Sequence, residues 1–91
     1  MTTIPIPDTH PNADWKVAYN EAITFQFDAD VDHFQVDHPE YFTPKVRPGA
    51  HKKGDTIQCT ATARAQKVAF KYHPDTSSAT LAAAHTILIG N

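Results

Sequence analysis

Apolar and polar residues alternate along most of this chain with a period of two. Trp15, Val17 and Tyr19 alternate with Lys16 and Ala18, and Ile23, Phe25 and Phe27 with Thr24 and Gln26. Phe34 and Val36 alternate with His33, Gln35 and Asp37. Ile57, Cys59, Ala61 and Ala63 alternate with Gln58, Thr60, Thr62 and Arg64. Val68, Phe70 and Tyr72 alternate with Ala69, Lys71 and His73. Successive side chains of a strand point to opposite faces, so each run predicts a half-buried strand of an antiparallel sheet. Phe25, Phe27, Phe34, Ile57, Val68, Phe70 and Ile87 are the expected core. The last run, Thr86-Ile87-Leu88-Ile89, is apolar on both faces and predicts a central, well-covered strand.

Turn chemistry separates the runs. Tyr19-Asn20-Glu21, Asp28-Ala29-Asp30 and Arg64-Ala65-Gln66-Lys67 are short enough for reversals. Residues 37–55 contain Pro39, Pro44, Pro48, Gly49 and Gly54, which predicts a long ordered loop or a crossover. Ser77 or Ser78 can cap one short helical turn over 77–84, where alanines follow. Residues 1–14, with Pro5, Pro7 and Pro11, read as an extended N-terminal arm. One sheet could not bury both its own apolar face and the two-sided last strand. The expectation is an all-β domain over 1–91: a small antiparallel Greek-key β-sandwich of six or seven strands.

The chain has 91 residues, enough for one domain with a modest core. It is 41% hydrophobic and 20% charged, ordinary values for a globular protein. No apolar run reaches the ~20 residues of a membrane span, and Met1-Thr2-Thr3-Ile4-Pro5 lacks the pattern of a signal peptide. Cys59 is the single cysteine, so no internal disulfide forms, and the expectation is a reducing, cytoplasmic setting with Cys59 as a small buried hydrophobe.

Charge changes the picture through its distribution. Residues 1–40 carry one base and eight acids, a net of −7; residues 41–73 carry seven bases and one acid, a net of +6. Either the two halves neighbour and neutralise each other, or acidic and basic faces drive association between molecules into a homo-oligomer. Nucleic acid is not expected as a partner. The whole chain carries a net charge of −2, and its basic half lacks an aromatic-rich basic cluster.

Ala22–Phe27, the Pro-rich loop through Tyr41-Phe42-Thr43-Pro44, the strand Thr56–Arg64 paired with Val68–His73, and the apolar tail His85-Thr86-Ile87-Leu88-Ile89-Gly90-Asn91 follow one another in an order that resembles the small bacterial cupredoxin-like sandwiches. The resemblance covers about residues 15–91 and rests on strand order. It implies a sandwich without the copper centre. Cys59 lies in mid-strand with no histidine soon after it, and Met1 is the only methionine.

Four constellations bear on chemistry. Asp28, Asp30, Asp32, His33, Asp37, His38 and Glu40 lie within 13 residues. A calcium loop starting at Asp28 would need Gly at its sixth position and Glu at its twelfth; His33 and Pro39 stand there. The stretch reads as a solvated hairpin rim or as a divalent-metal site built on His33, His38, Asp30 and Asp32, for zinc, copper or nickel. The histidine set is His10, His33, His38, His51, His73 and His85. His33 and His73 fall on the polar faces of their strands, so two imidazoles meet if those strands pair. Ser77 and Ser78 near His73 and Asp75 lack a nucleophile-elbow motif, so catalysis is not expected. Lastly, Tyr41, Phe42, Lys45, Arg47 and His51 form a Pro-stiffened surface suited to recognising a protein partner. In the plainer alternative, Phe42 plugs the core while Lys45 and Arg47 face solvent. The leading expectation is a non-enzymatic module that binds a partner or itself through 37–55 or through its charged faces, with metal binding at 28–40 as the rival.

Overall fold

The alternating runs become strands of two packed sheets in the computed structural model, which describes residues 1–10, 12–75 and 84–91. The expected helical turn over 77–84 lies almost wholly outside the described residues. In chain order the strands are β1 (Thr2–Ile6), β2 (Asp14–Val17), β3 (Ala22–Phe27), β4 (Val31–Val36), β5 (Phe42–Thr43), β6 (Gly49–His51), β7 (Thr56–Ala61), β8 (Gln66–His73) and β9 (Thr86–Ile89). One sheet has the order β1-β3-β7-β5, the other β2-β9-β8-β4-β6.

The all-β reading holds, whereas the purely antiparallel one does not. β1 runs parallel to β3, and β2 runs parallel to β9. Both parallel pairs come from the first 17 residues, of which 1–14 read as an arm and Trp15 and Val17 as the start of a strand. That segment is extended but not free. Ile4 and Ile6 are fully buried, and β1 completes a sheet edge. Proline is tolerated on an edge strand, which is how Pro5 fits inside β1. The strand count exceeds seven for a second reason: the 37–55 segment contributes two short edge strands, β5 and β6.

Inward residues of both sheets share one core. Phe25 and Phe27 from the first sheet meet Phe34 of the second at ring separations of 5.1 and 5.2 Å, and Phe25 lies 6.0 Å from Phe70. Of the seven predicted core residues, six are buried and Ile57 is partly buried against them. β9 lies between β2 and β8, the central position its two-sided pattern demands. At the other end of the ladder, the register shifts between Val31 and Phe34 where β4 pairs with β6. This irregularity lets Val31 and Phe34, three positions apart, both face inward.

The chain crosses between sheet edges at two places that matter below. Residues 7–13 link β1 to β2, and residues 44–48 link β5 to β6; each of these four strands is the edge of its sheet. Among the described residues no helix is long and apolar enough to cross a membrane.

Candidate functional site

The 44–48 crossover is held down by two apolar anchors. Pro39 opens a short 3-10 turn, Pro39–Tyr41, and the Phe42 N–H donates to the Pro39 carbonyl. The Thr62 N–H donates to the Tyr41 carbonyl at 2.8 Å, tying the turn to the end of β7. Phe42 and Val46 are each only 1% exposed. Phe42 is therefore a core residue and not part of a partner surface. Its position in β5 points it inward, opposite Ala61.

With Phe42 and Val46 anchored, Lys45 and Arg47 alternate outward and are exposed. Pro39, Pro44, Lys45, Val46, Arg47 and Pro48 line a shallow groove of about 300 Å³. Its walls are rings of proline and its polar groups are two cations. Arg47 makes no ion pair with any described residue. Glu40 follows Pro39 in the 3-10 turn, its carboxyl held below the ordinary carboxylate value by its own backbone N–H first, then by His38, with a smaller pull from Lys45. Tyr41 is half-buried and stacks on His38 at 4.7 Å.

His51 belongs elsewhere. Its ring stacks on Phe27 at 4.3 Å, nearly parallel, and its Nδ1 lies 3.4 Å from Asp55. It lines a second hollow, with Asp30, Val31, Asp32, Ala50, Lys52 and Asp55. Here the acidic and basic halves of the sequence meet: the Lys53 N–H donates to Asp30 at 2.8 Å, and the Gly54 N–H to the Phe27 carbonyl at 2.7 Å. Gly54 has φ of +97°, the left-handed region glycine enters without strain. Backbone N–H groups of the basic half thus satisfy a carboxylate and a carbonyl of the acidic half at this end.

The proposed metal residues do not converge as a set. Asp30 and Asp32 line the hollow beside β6. His33 lies on the outer face of β4, its Nε2 2.7 Å from the Gln35 Oε1. His38 lies beyond the end of β4, bonded to Glu40 and stacked on Tyr41. Among the described residues no three His, Cys, Asp or Glu side chains are grouped to hold a metal ion. The residues are close in sequence, but β4 spreads them along its length and onto different sides.

The most heavily bonded polar group in the interior is one the sequence reading did not assemble. Asp8, in the first crossover, and His85, just before β9, are the two buried polar residues of the described chain. His85 Nδ1 lies 2.7 Å from Asp8 Oδ2, and His85 Nε2 lies 2.7 Å from Asp75 Oδ2. The other Asp8 oxygen accepts from Trp15 Nε1 at 3.0 Å and from the His10 N–H at 2.8 Å, and the Asp8 N–H donates to the Tyr72 hydroxyl. Ionised carboxylates only accept, so this pair of contacts favours the imidazolium form of His85, in which both ring nitrogens donate. Burial by itself would push its pKa down; the hydrogen bonds and charges of Asp75 and Asp8 outweigh that and hold it above the ordinary value of 6.5. With both nitrogens hydrogen-bonded to carboxylates, neither is open to a metal ion. The signal in the sequence was Pro7-Asp8-Thr9-His10, where an aspartate accepts from the backbone two residues on and makes an Asx-turn. The proline-rich surroundings masked it.

Cys59 is buried, and burial pushes its thiol up to about 11. It behaves as a hydrophobe and not as a nucleophile. Comparison of the chain with protein-family models, with curated proteins and with solved structures finds no match.

Proposed function

We propose that this chain is a non-enzymatic binding module whose 39–48 groove takes an extended, acidic peptide segment of a partner protein. The observation that carries this reading is the anchoring of Phe42 and Val46 while Lys45 and Arg47 stand exposed on proline walls. A loop pinned at both anchors and stiffened by proline has little conformational entropy left to lose on binding. The guanidinium of Arg47 is a planar fork suited to carboxylate, and proline rings offer an apolar surface to an extended chain.

Two further observations support a binding role over catalysis. The best-buried histidine has both nitrogens engaged, and the single thiol is held protonated. The same reading keeps a Greek-key path and the likeness to cupredoxin-like sandwiches without a copper centre. It is supported by two packed sheets between which consecutive strands alternate from β1 to β4. It also keeps a cytoplasmic setting, supported by a lone, buried, unpaired cysteine.

The test is fluorescence anisotropy of a labelled peptide alternating Glu and Leu, with a Lys/Leu peptide as control. Binding of the acidic peptide alone, weakening as salt rises and lost in a Lys45→Glu/Arg47→Glu variant, is the expected result. Equal binding of both peptides, or an unaffected variant, overturns it.

A further inference from the structure

On the outer face of the five-stranded sheet, β4 and β8 pair antiparallel with His33 directly opposite His73. Phe34 and Val36 on β4 and Phe70 and Tyr72 on β8 face the core, so the two histidines share the solvent face. Directly opposed residues in an antiparallel pair have Cβ atoms about 4.5–5.5 Å apart, a separation two imidazoles can bridge onto one ion. His33 is half-buried and held from behind: the Gln35 Oε1 is an acceptor, so the ring nitrogen it contacts at 2.7 Å, Nε2, carries the hydrogen. That fixes the tautomer and leaves Nδ1 with its lone pair. A partner on the far nitrogen is the arrangement that orients a histidine ligand and raises its basicity. His73 is exposed, and its rotamer is free to follow.

We infer that His33 and His73 form a two-imidazole chelate for a borderline divalent transition-metal ion, Cu²⁺ above Ni²⁺ and Zn²⁺, with water filling the remaining positions. The order follows the general preference of nitrogen sites across the first-row metals. This site needs neither Asp30, Asp32 nor His38, and it does not depend on the peptide groove. The neighbouring outward pair, Gln35 opposite Lys71, sets its limits. Gln35 supports a ligand, whereas the Lys71 ammonium opposes an incoming cation.

The experiment is a titration of the tag-free full chain with Cu²⁺ at low salt, followed by electron paramagnetic resonance. The native chain is expected to bind one equivalent with a tetragonal signal showing two equatorial nitrogens. Orienting partners of metal ligands are worth about 10–100-fold in affinity, so loss of a ligand costs at least as much. His33→Asn and His73→Asn are each expected to weaken the first equivalent by about tenfold or more. His10→Asn and His38→Asn leave it unchanged. Lys71→Gln is expected to tighten it by about two- to fivefold, an effect that shrinks at high salt. Because this last change is a gain at an exposed position, it cannot arise from misfolding. A first equivalent that survives either His33→Asn or His73→Asn, or that follows His10 or His38 instead, overturns the inference.

Discussion

The carboxylate of Asp8 and the imidazole of His85, 77 residues apart in sequence, meet at 2.7 Å inside the protein. Asp75 closes the other side of the ring. One positive charge is thereby shared between two negative ones, and Trp15, Tyr72 and the His10 backbone use most of what Asp8 has left. The network ties the first crossover to the start of the central strand β9.

Its consequence for pH follows from the sign of the shift. The folded-state pKa of His85 is raised above 6.5. A raised value contributes stability that is fully present below the unfolded pKa and is lost as pH rises through the folded one. Stability should therefore decline as pH climbs from about 6.5 through the folded value. Urea denaturation across that range, with an NMR titration of the His85 ring, checks this. A His85 titration at or below 6.5 would contradict it.

Removing the ring strands a buried carboxylate. His85→Gln should cost about 3 kcal/mol, the lower end for breaking a buried pair, because Asp75 is itself partly exposed. The loss should be largest at pH 6 and smaller at high pH, where the native imidazole also loses its charge. A pH-independent loss would mean that packing against Phe70 and Tyr72 matters more than charge.

The aromatic centre gives a second test. Phe70 packs near Phe25, Phe34 and His85 from β8. Phe70→Ala should cost about 3–5 kcal/mol in equilibrium unfolding, a large share of a small domain's stability. A loss under about 1 kcal/mol would contradict the packing described here.

Much of this architecture was legible in the alternation. Phe25, Phe27, Phe34, Val68, Phe70 and Ile87 face inward because period two puts them on one side of their strands, and Leu88 beside Ile87 and Ile89 marked β9 as central. The prediction failed where proline overrode the pattern. Thr3-Ile4-Pro5-Ile6 alternates as well as any run, yet its prolines suggested an arm, and the parallel pairing with β3 went unread. The candidate groove was half legible: Lys45 and Arg47 lie on it, but neither Phe42 nor His51 does, since burial of Phe42 and stacking of His51 on Phe27 are set by tertiary neighbours. The Asp8–His85–Asp75 network was invisible for the same reason: Asp8 lies 77 residues from His85.

The docked arm can be tested directly. Ile6→Ala should destabilise by about 2–5 kcal/mol, as for a fully buried core position. A loss of only a few tenths of a kcal/mol, as for an exposed residue, would return residues 1–6 to a dispensable arm.

The central claim is that the 39–48 groove receives an acidic extended peptide. The most direct measurement is a ¹⁵N–¹H NMR titration of the labelled chain with the Glu/Leu peptide at low and high salt. The account predicts saturable shift changes concentrated at the backbone amides of Lys45, Val46 and Arg47 and of their neighbours, shrinking at high salt. The hollow at Asp30 and Asp55 should stay unperturbed. Shifts scattered over the basic residues of the whole surface, or none in residues 39–48, would contradict it.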